Sequence, residues 1–202
     1  MAKRVKLLAA TAALLVLLGA MFAATAQVAP RDVAEAPSQL SAKGRIAPAT
    51  EPGTPLILSG TVLAPDGKTP LAGVVVYAYH TDNNGYYRKA GEWGEAGENE
   101  PRLRGWVKTD ANGHFEFTTI KPAPYPNRDA PAHIHVHAWG GGYPRQWFEV
   151  EFQGDPLLPK QHFTDNTAEF LYIIPLTSDS GGTLRGSVTI RMRQNSNFAE
   201  GG

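Results

Sequence analysis

The feature that most constrains this chain is a succession of short apolar segments, each closed by turn residues. LILSGTVLA (56–64) runs into Pro65-Asp66-Gly67, and GVVVYAYH (73–80) runs into Asp82-Asn83-Asn84-Gly85. GWVKTD (105–110), the turn Ala111-Asn112-Gly113 and HFEFTTI (114–120) predict a β-hairpin in which Phe115 and Phe117 alternate with His114 and Glu116. AHIHVHAW (132–139), QWFEVEF (146–152), AEFLYII (168–174) and TLRGSVTIRM (183–192) complete the series. No segment has convincing helical periodicity. About eight short strands separated by Gly- and Asn-containing turns predict an all-β fold, an antiparallel β-sandwich, over residues 55–194.

The flanks have a different composition. Residues 1–26 carry Lys3, Arg4 and Lys6, then an apolar run ending in Ala24-Thr25-Ala26, the form of a signal peptide cleaved after Ala26. This predicts an exported protein, periplasmic or extracellular, with no stable membrane anchor. Residues 27–54 are rich in Pro, Ala and small polar residues, which predicts a flexible arm or linker and leaves homo-oligomerisation through it open. Residues 195–202 are expected to be a loose tail. Removal of the leader takes three basic residues and no acidic ones, leaving 16 against 19, a net of −3. With no basic block left, nucleic acid is not an expected partner. Cysteine is absent, so thiolate metal sites and cysteine nucleophiles are excluded and any metal must use His, Asp, Glu or Tyr.

Three of the six histidines fall at alternate positions in PAHIHVHAWGGG: His133, His135 and His137. Neighbours on one face of a strand lie about 6.5–7 Å apart. Two such imidazoles can converge on one ion, whereas the outer pair is too widely spaced without a bend. Read alone, the run is either a metal-binding pair or a polar strand face. A cupin would place a glutamate a few residues further on, and none is there.

The surrounding motifs narrow the choice. TIKPAPYP (119–126), PAHIH (131–135) and FQGDPL (152–157) follow one another in that order. The set resembles the intradiol ring-cleavage dioxygenases, the family of protocatechuate 3,4-dioxygenase and catechol 1,2-dioxygenase, over roughly residues 55–192. The resemblance implies a non-haem iron(III) ion held by two tyrosines and two histidines. They would be Tyr87 of NNGYYRKAG, with Tyr86 as the neighbouring alternative, Tyr125 of KPAPYP, and His133 and His135. It implies cleavage of a catechol-type ring between its two hydroxylated carbons by O2, giving a muconate-type diacid without nicotinamide or flavin. Tyr125 would act as a base toward the substrate. His137 lies beyond the family's pair and is expected to be a neighbour of the site or solvent-facing.

Two positions depart from the family pattern. An arginine usually precedes P-A-H-I-H; here that residue is Ala130, and Arg128 is the nearest substitute. A glutamine often precedes the F-x-G-D run; here the aligned residue is Glu149, with Gln146 the alternative. The short segment from Tyr125 to His133 implies an open pocket. The first strands alone also resemble transthyretin-like sandwiches, which predict a non-catalytic binding module instead, but that likeness does not account for Tyr125 or PAHIH.

Overall fold

A computed structural model of the chain describes residues 31–87, 101–126, 130–158 and 170–197. The leader segment and Arg128 lie outside these residues. The chain divides after Ala34, and the described part of residues 1–34 is a single helical turn, α1 (Arg31–Ala34). Residues 35–202 form a compact unit, and its described elements are all strands.

The eight expected strands are present as β2 (Pro55–Leu63), β3 (Val75–His80), β4 (Leu103–Lys108), β5 (His114–Ile120), β6 (His133–Gly140), β7 (Tyr143–Phe152), β8 (Leu171–Ile174) and β10 (Leu184–Arg191). Two more are β1 (Lys43–Arg45) and β9 (Thr177–Ser178). They form two five-stranded sheets, ordered β1-β5-β2-β10-β9 and β4-β3-β6-β7-β8. Alternation explains the sandwich. Leu56, Leu58 and Val62 of β2, Phe115 and Phe117 of β5, Ile134, Val136 and Ala138 of β6, and Phe148, Val150 and Phe152 of β7 share one buried core. Each of these four strands thus gives one face to the core.

The structure corrects the expected pairing. The sheets are mixed: β1 with β5, β2 with β10 and β7 with β8 are parallel, the others antiparallel. Nor do β4 and β5 form a hairpin. The turn between them is tight, with Gly113 N–H donating to the Asp110 carbonyl, but β4 pairs with β3 in one sheet and β5 with β2 in the other. The arm runs between the two: Lys108 N–H of β4 donates to the Ser41 carbonyl and Glu116 N–H of β5 to the Ala42 carbonyl. Residues 41–47 are therefore part of the sandwich rather than a flexible arm, and Ile46 and Ala47 are buried in its core. The approach needs a glycine on β4, because a Cβ on Gly105 would lie 2.4 Å from the Arg45 carbonyl oxygen. The start of the tail is also tied down. Asn197 uses its side-chain amide to accept from Trp147 N–H and donate to the Trp147 carbonyl, both at 2.7 Å, like a one-residue strand.

Candidate metal centre

Because Ile134, Val136 and Ala138 fill the core, His133, His135 and His137 project from the opposite face of β6. The His133 and His135 rings tilt to 84°, which brings their Nε2 atoms to 3.1 Å, closer than their backbone spacing. Tyr79, directly opposite His135 on β3, stacks on its ring at 4.7 Å and 20°.

The tyrosines come from two loops that are fastened together. After β3 the chain turns at Asp82, whose Oδ1 accepts from Asn84 N–H and Tyr86 N–H, while Gly85 N–H donates to the Asp82 carbonyl. The second loop, leaving β5, is held to the first by Ala123 N–H donating to the Asp82 carbonyl and by the Thr81 hydroxyl donating to the Ala123 carbonyl. Gly85 sits at the crossing with φ +86°, where a Cβ would lie 2.2 Å from the Pro124 carbonyl oxygen. Arg102 N–H donates to the Tyr87 carbonyl, fixing the exit of the first loop.

Tyr87, Tyr125, His133 and His135 consequently meet. Tyr87 Oη lies 2.5 Å from Tyr125 Oη and 2.9 Å from His135 Nε2; Tyr125 Oη lies 2.9 Å from His133 Nε2 and 3.5 Å from His135 Nε2. Tyr87 is buried and Tyr125 only partly so. Burial pushes the Tyr87 phenol far above its ordinary range, and the neighbouring Tyr125 adds to this. Burial likewise lowers both histidines, which favours their neutral forms.

Proton counting tests whether this cluster suits a cation. His133 Nδ1 lies 2.7 Å from the Pro131 carbonyl, which can only accept, so the His133 proton is on Nδ1 and Nε2 is bare. Three exchangeable protons remain, from two phenols and His135, for four short edges: Oη–Oη, the two Oη–Nε2 contacts at 2.9 Å, and Nε2–Nε2. At least one edge must oppose bare lone pairs. A central cation removes the conflict, because all four atoms then aim lone pairs inward. Donors about 2.0–2.1 Å from a tetrahedral ion are separated by about 3.3 Å, and the measured separations of 2.5–3.5 Å bracket that value. Two phenolates and two imidazoles suit a hard trivalent ion better than a soft one. A bound cation would also reverse the unfavourable ionisation of Tyr87.

The remaining candidates from the motifs separate cleanly. Glu149 stands opposite His135 on β7, with its carboxylate oxygens 3.9 Å from His133 Nδ1 and 3.8 Å from His135 Nδ1. It faces the Nδ1 side of both rings, whereas the phenols meet the Nε2 side. Gln146 is engaged elsewhere: its side chain donates to the Arg193 carbonyl and accepts from Arg193 N–H. His137 is buried beside Arg145, at 3.3 Å, and against Tyr77 and Tyr79, outside the four-atom cluster. Tyr86 is half-buried and contributes its backbone to the Asp82 turn. Ala130 is half-buried, and Arg128 falls outside the described residues. The Tyr79 stack and the fastening of the two loops had no sequence signal beyond the Asp82–Gly85 turn itself.

A family model described as Dioxygenase matches residues 28–190. The chain belongs to the intradiol ring-cleavage dioxygenases. Within this family it is 35% identical over 152 residues to catechol 1,2-dioxygenase 1 of Acinetobacter lwoffii, covering 67% of this chain and 47% of that protein. It is 32% identical to the protocatechuate 3,4-dioxygenase beta chain of Burkholderia cepacia, covering 58% of this chain and 52% of that one. The chain spans about half the length of these intradiol relatives. A solved structure, the dioxygenase domain of a dioxygenase carbohydrate-binding protein fusion from Streptomyces sp. SirexAA-E, superposes with a TM-score of 0.59 at 26% identity. It covers 79% of this chain and 92% of that domain. Catechol 1,2-dioxygenase from Pseudomonas arvilla C-1 shares the intradiol fold at a TM-score of 0.60 and 22% identity, covering 81% of this chain and 60% of that one.

Proposed function

We propose that this chain is an exported, iron(III)-dependent dioxygenase that cleaves catechol-type rings between the hydroxylated carbons. The observation that carries the reading is the convergence of two phenol oxygens and two imidazole nitrogens within 3.5 Å of one another along the contacts described. Family membership supports it. Tyr87, Tyr125, His133 and His135 would hold the metal, and iron(III) bound there would supply Lewis acidity toward a catecholate and draw electron density from its ring. Both atoms of O2 enter the diacid product, so the ring supplies the electrons and no reductant is required.

The residues divide the work by exposure. Tyr87 and His133 are buried and form the fixed side of the site. Tyr125 is the more accessible phenol, and as a metal-held phenolate its Oη would take a hydroxyl proton from an arriving catechol. With Ala130 where the family usually has arginine, Arg128 is assigned to neutralise the anionic substrate. Tyr79, stacked on His135, keeps that ring from rotating.

The purified protein loaded with iron(III) should show a visible tyrosinate-to-iron band and consume one O2 per catechol. A colourless protein that takes up no iron(III) would remove the metal assignment. Colour without O2 uptake across simple and extended catechols would reduce the protein to an iron-binding module. Cell fractionation tests the export: retention of the uncleaved chain in the cytoplasm contradicts it.

A further inference from the structure

Inward-facing Nε2 lone pairs have a consequence on the far side of the rings. If His133 and His135 both coordinate through Nε2, both carry a proton on Nδ1. The His133 proton is given to the Pro131 carbonyl. His135 Nδ1 is buried and makes no hydrogen bond. Leaving a buried N–H without an acceptor is costly, so a holo site needs an acceptor there. The β6–β7 register supplies one. Glu149 is the direct cross-strand partner of His135, on the same face of the sheet, with Oε2 at 3.8 Å from that Nδ1. A shift of roughly 1 Å by a side chain with three rotatable bonds closes the contact to hydrogen-bond range.

We propose that Glu149 is a positioning residue that accepts the Nδ1–H of His135, fixing its tautomer and strengthening Nε2 as a metal donor. The inference rests on the metal reading above. A carboxylate behind a ligating imidazole raises its basicity and holds its plane. It also gives Glu149 a role that does not require contact with substrate: the carboxylate faces the histidines' outer nitrogens.

The test compares E149Q and E149A with the wild-type holoprotein. Iron(III) affinity is measured by chelator competition, the iron midpoint potential by titration, and apoprotein stability by thermal unfolding. E149A should lose about 10–100-fold in iron(III) affinity, with apoprotein stability no lower than wild type. Loss specific to the ferric state raises the midpoint potential by about 59 mV per tenfold. E149Q, whose amide oxygen can accept the same N–H, should recover most of the affinity. The proposal is overturned if E149A binds iron(III) as tightly as wild type, if E149Q is as weak as E149A, or if the loss tracks a fall in apoprotein stability. Wild type that binds no iron(III) defeats the metal reading itself, whereas tight binding by both wild type and E149A defeats only this inference.

Discussion

Replacing Gly85 with alanine would perturb the proposed metal centre without touching any of the four side chains proposed to hold the ion. Gly85 has φ +86°, a conformation that costs an L-residue about 1–2 kcal/mol. Its new Cβ would sit 2.2 Å from the Pro124 carbonyl oxygen and 2.9 Å from Pro126 Cδ, against a floor of 3.0 Å for real Cβ contacts. Both obstacles are backbone or proline ring, so no rotamer change relieves them. The Tyr125 loop must retreat from the Tyr87 loop by about 0.8 Å or more. Metal–ligand distances tolerate deviations of about 0.2 Å, so a shift of this size takes Tyr125 out of a shared coordination sphere. The expected G85A protein folds, is less stable by about 1–2 kcal/mol from the backbone term alone, and has a weakened or absent tyrosinate–iron band. Circular dichroism with urea titration checks the first part, and iron(III) titration followed in the visible checks the second. A G85A protein with wild-type iron affinity and an unshifted band would show that the crossing of the loops does not set the site.

Three further outcomes follow from particular contacts. Y87F and Y125F should each abolish or shift the charge-transfer band while Y86F keeps it; loss in Y86F with retention in Y87F would reassign the buried ligand. His80 is fully buried, its Nδ1 2.6 Å from the Thr81 carbonyl and its Nε2 2.6 Å from the Thr119 hydroxyl, and burial lowers its pKa from 6.5 to about 4. Stability is therefore fully present above pH 6.5 and is lost as pH falls toward 4, because the unfolded chain binds a proton that the folded one refuses. The loss attributable to His80 reaches about 3 kcal/mol, and urea midpoints in H80Q should fall less over that interval than in wild type; equal falls refute the assignment. Phe117 is fully buried between the sheets, so F117A should lose about 3–5 kcal/mol in denaturant unfolding, and a loss below about 1 kcal/mol would contradict its place in the core.

What the sequence revealed of this molecule follows from which forces are local. Alternation such as that of Phe115 and Phe117 with His114 and Glu116 is a property of one strand, and all eight strands predicted from it are present. Pairing is not local. Residues 43–45 join β5 through backbone hydrogen bonds that no side-chain pattern announces, and their insertion between β4 and β5 is what turns an apparent hairpin into a step between sheets. The same distinction governs the site. PAHIH and KPAPYP could be matched to a metal chemistry, but the meeting of Tyr87 with Tyr125 depends on Asp82 and Thr81 bonding to Ala123, some forty residues further along the chain. The choice between Gln146 and Glu149 turns on register. Beyond a bulge between Ala138 and Gly140, β6 and β7 pair Ala138 with Gln146 and His135 with Glu149. Directly opposed residues share a face, so Gln146 follows Ala138 to the core side while Glu149 follows His135 to the side of the phenol–imidazole cluster. A slip of one residue would exchange the two faces. The turn Gly140-Gly141-Gly142, with all three glycines at positive φ, fixes that register, so a feature at the rim of the sheet decides which side chain stands behind the candidate metal ligand.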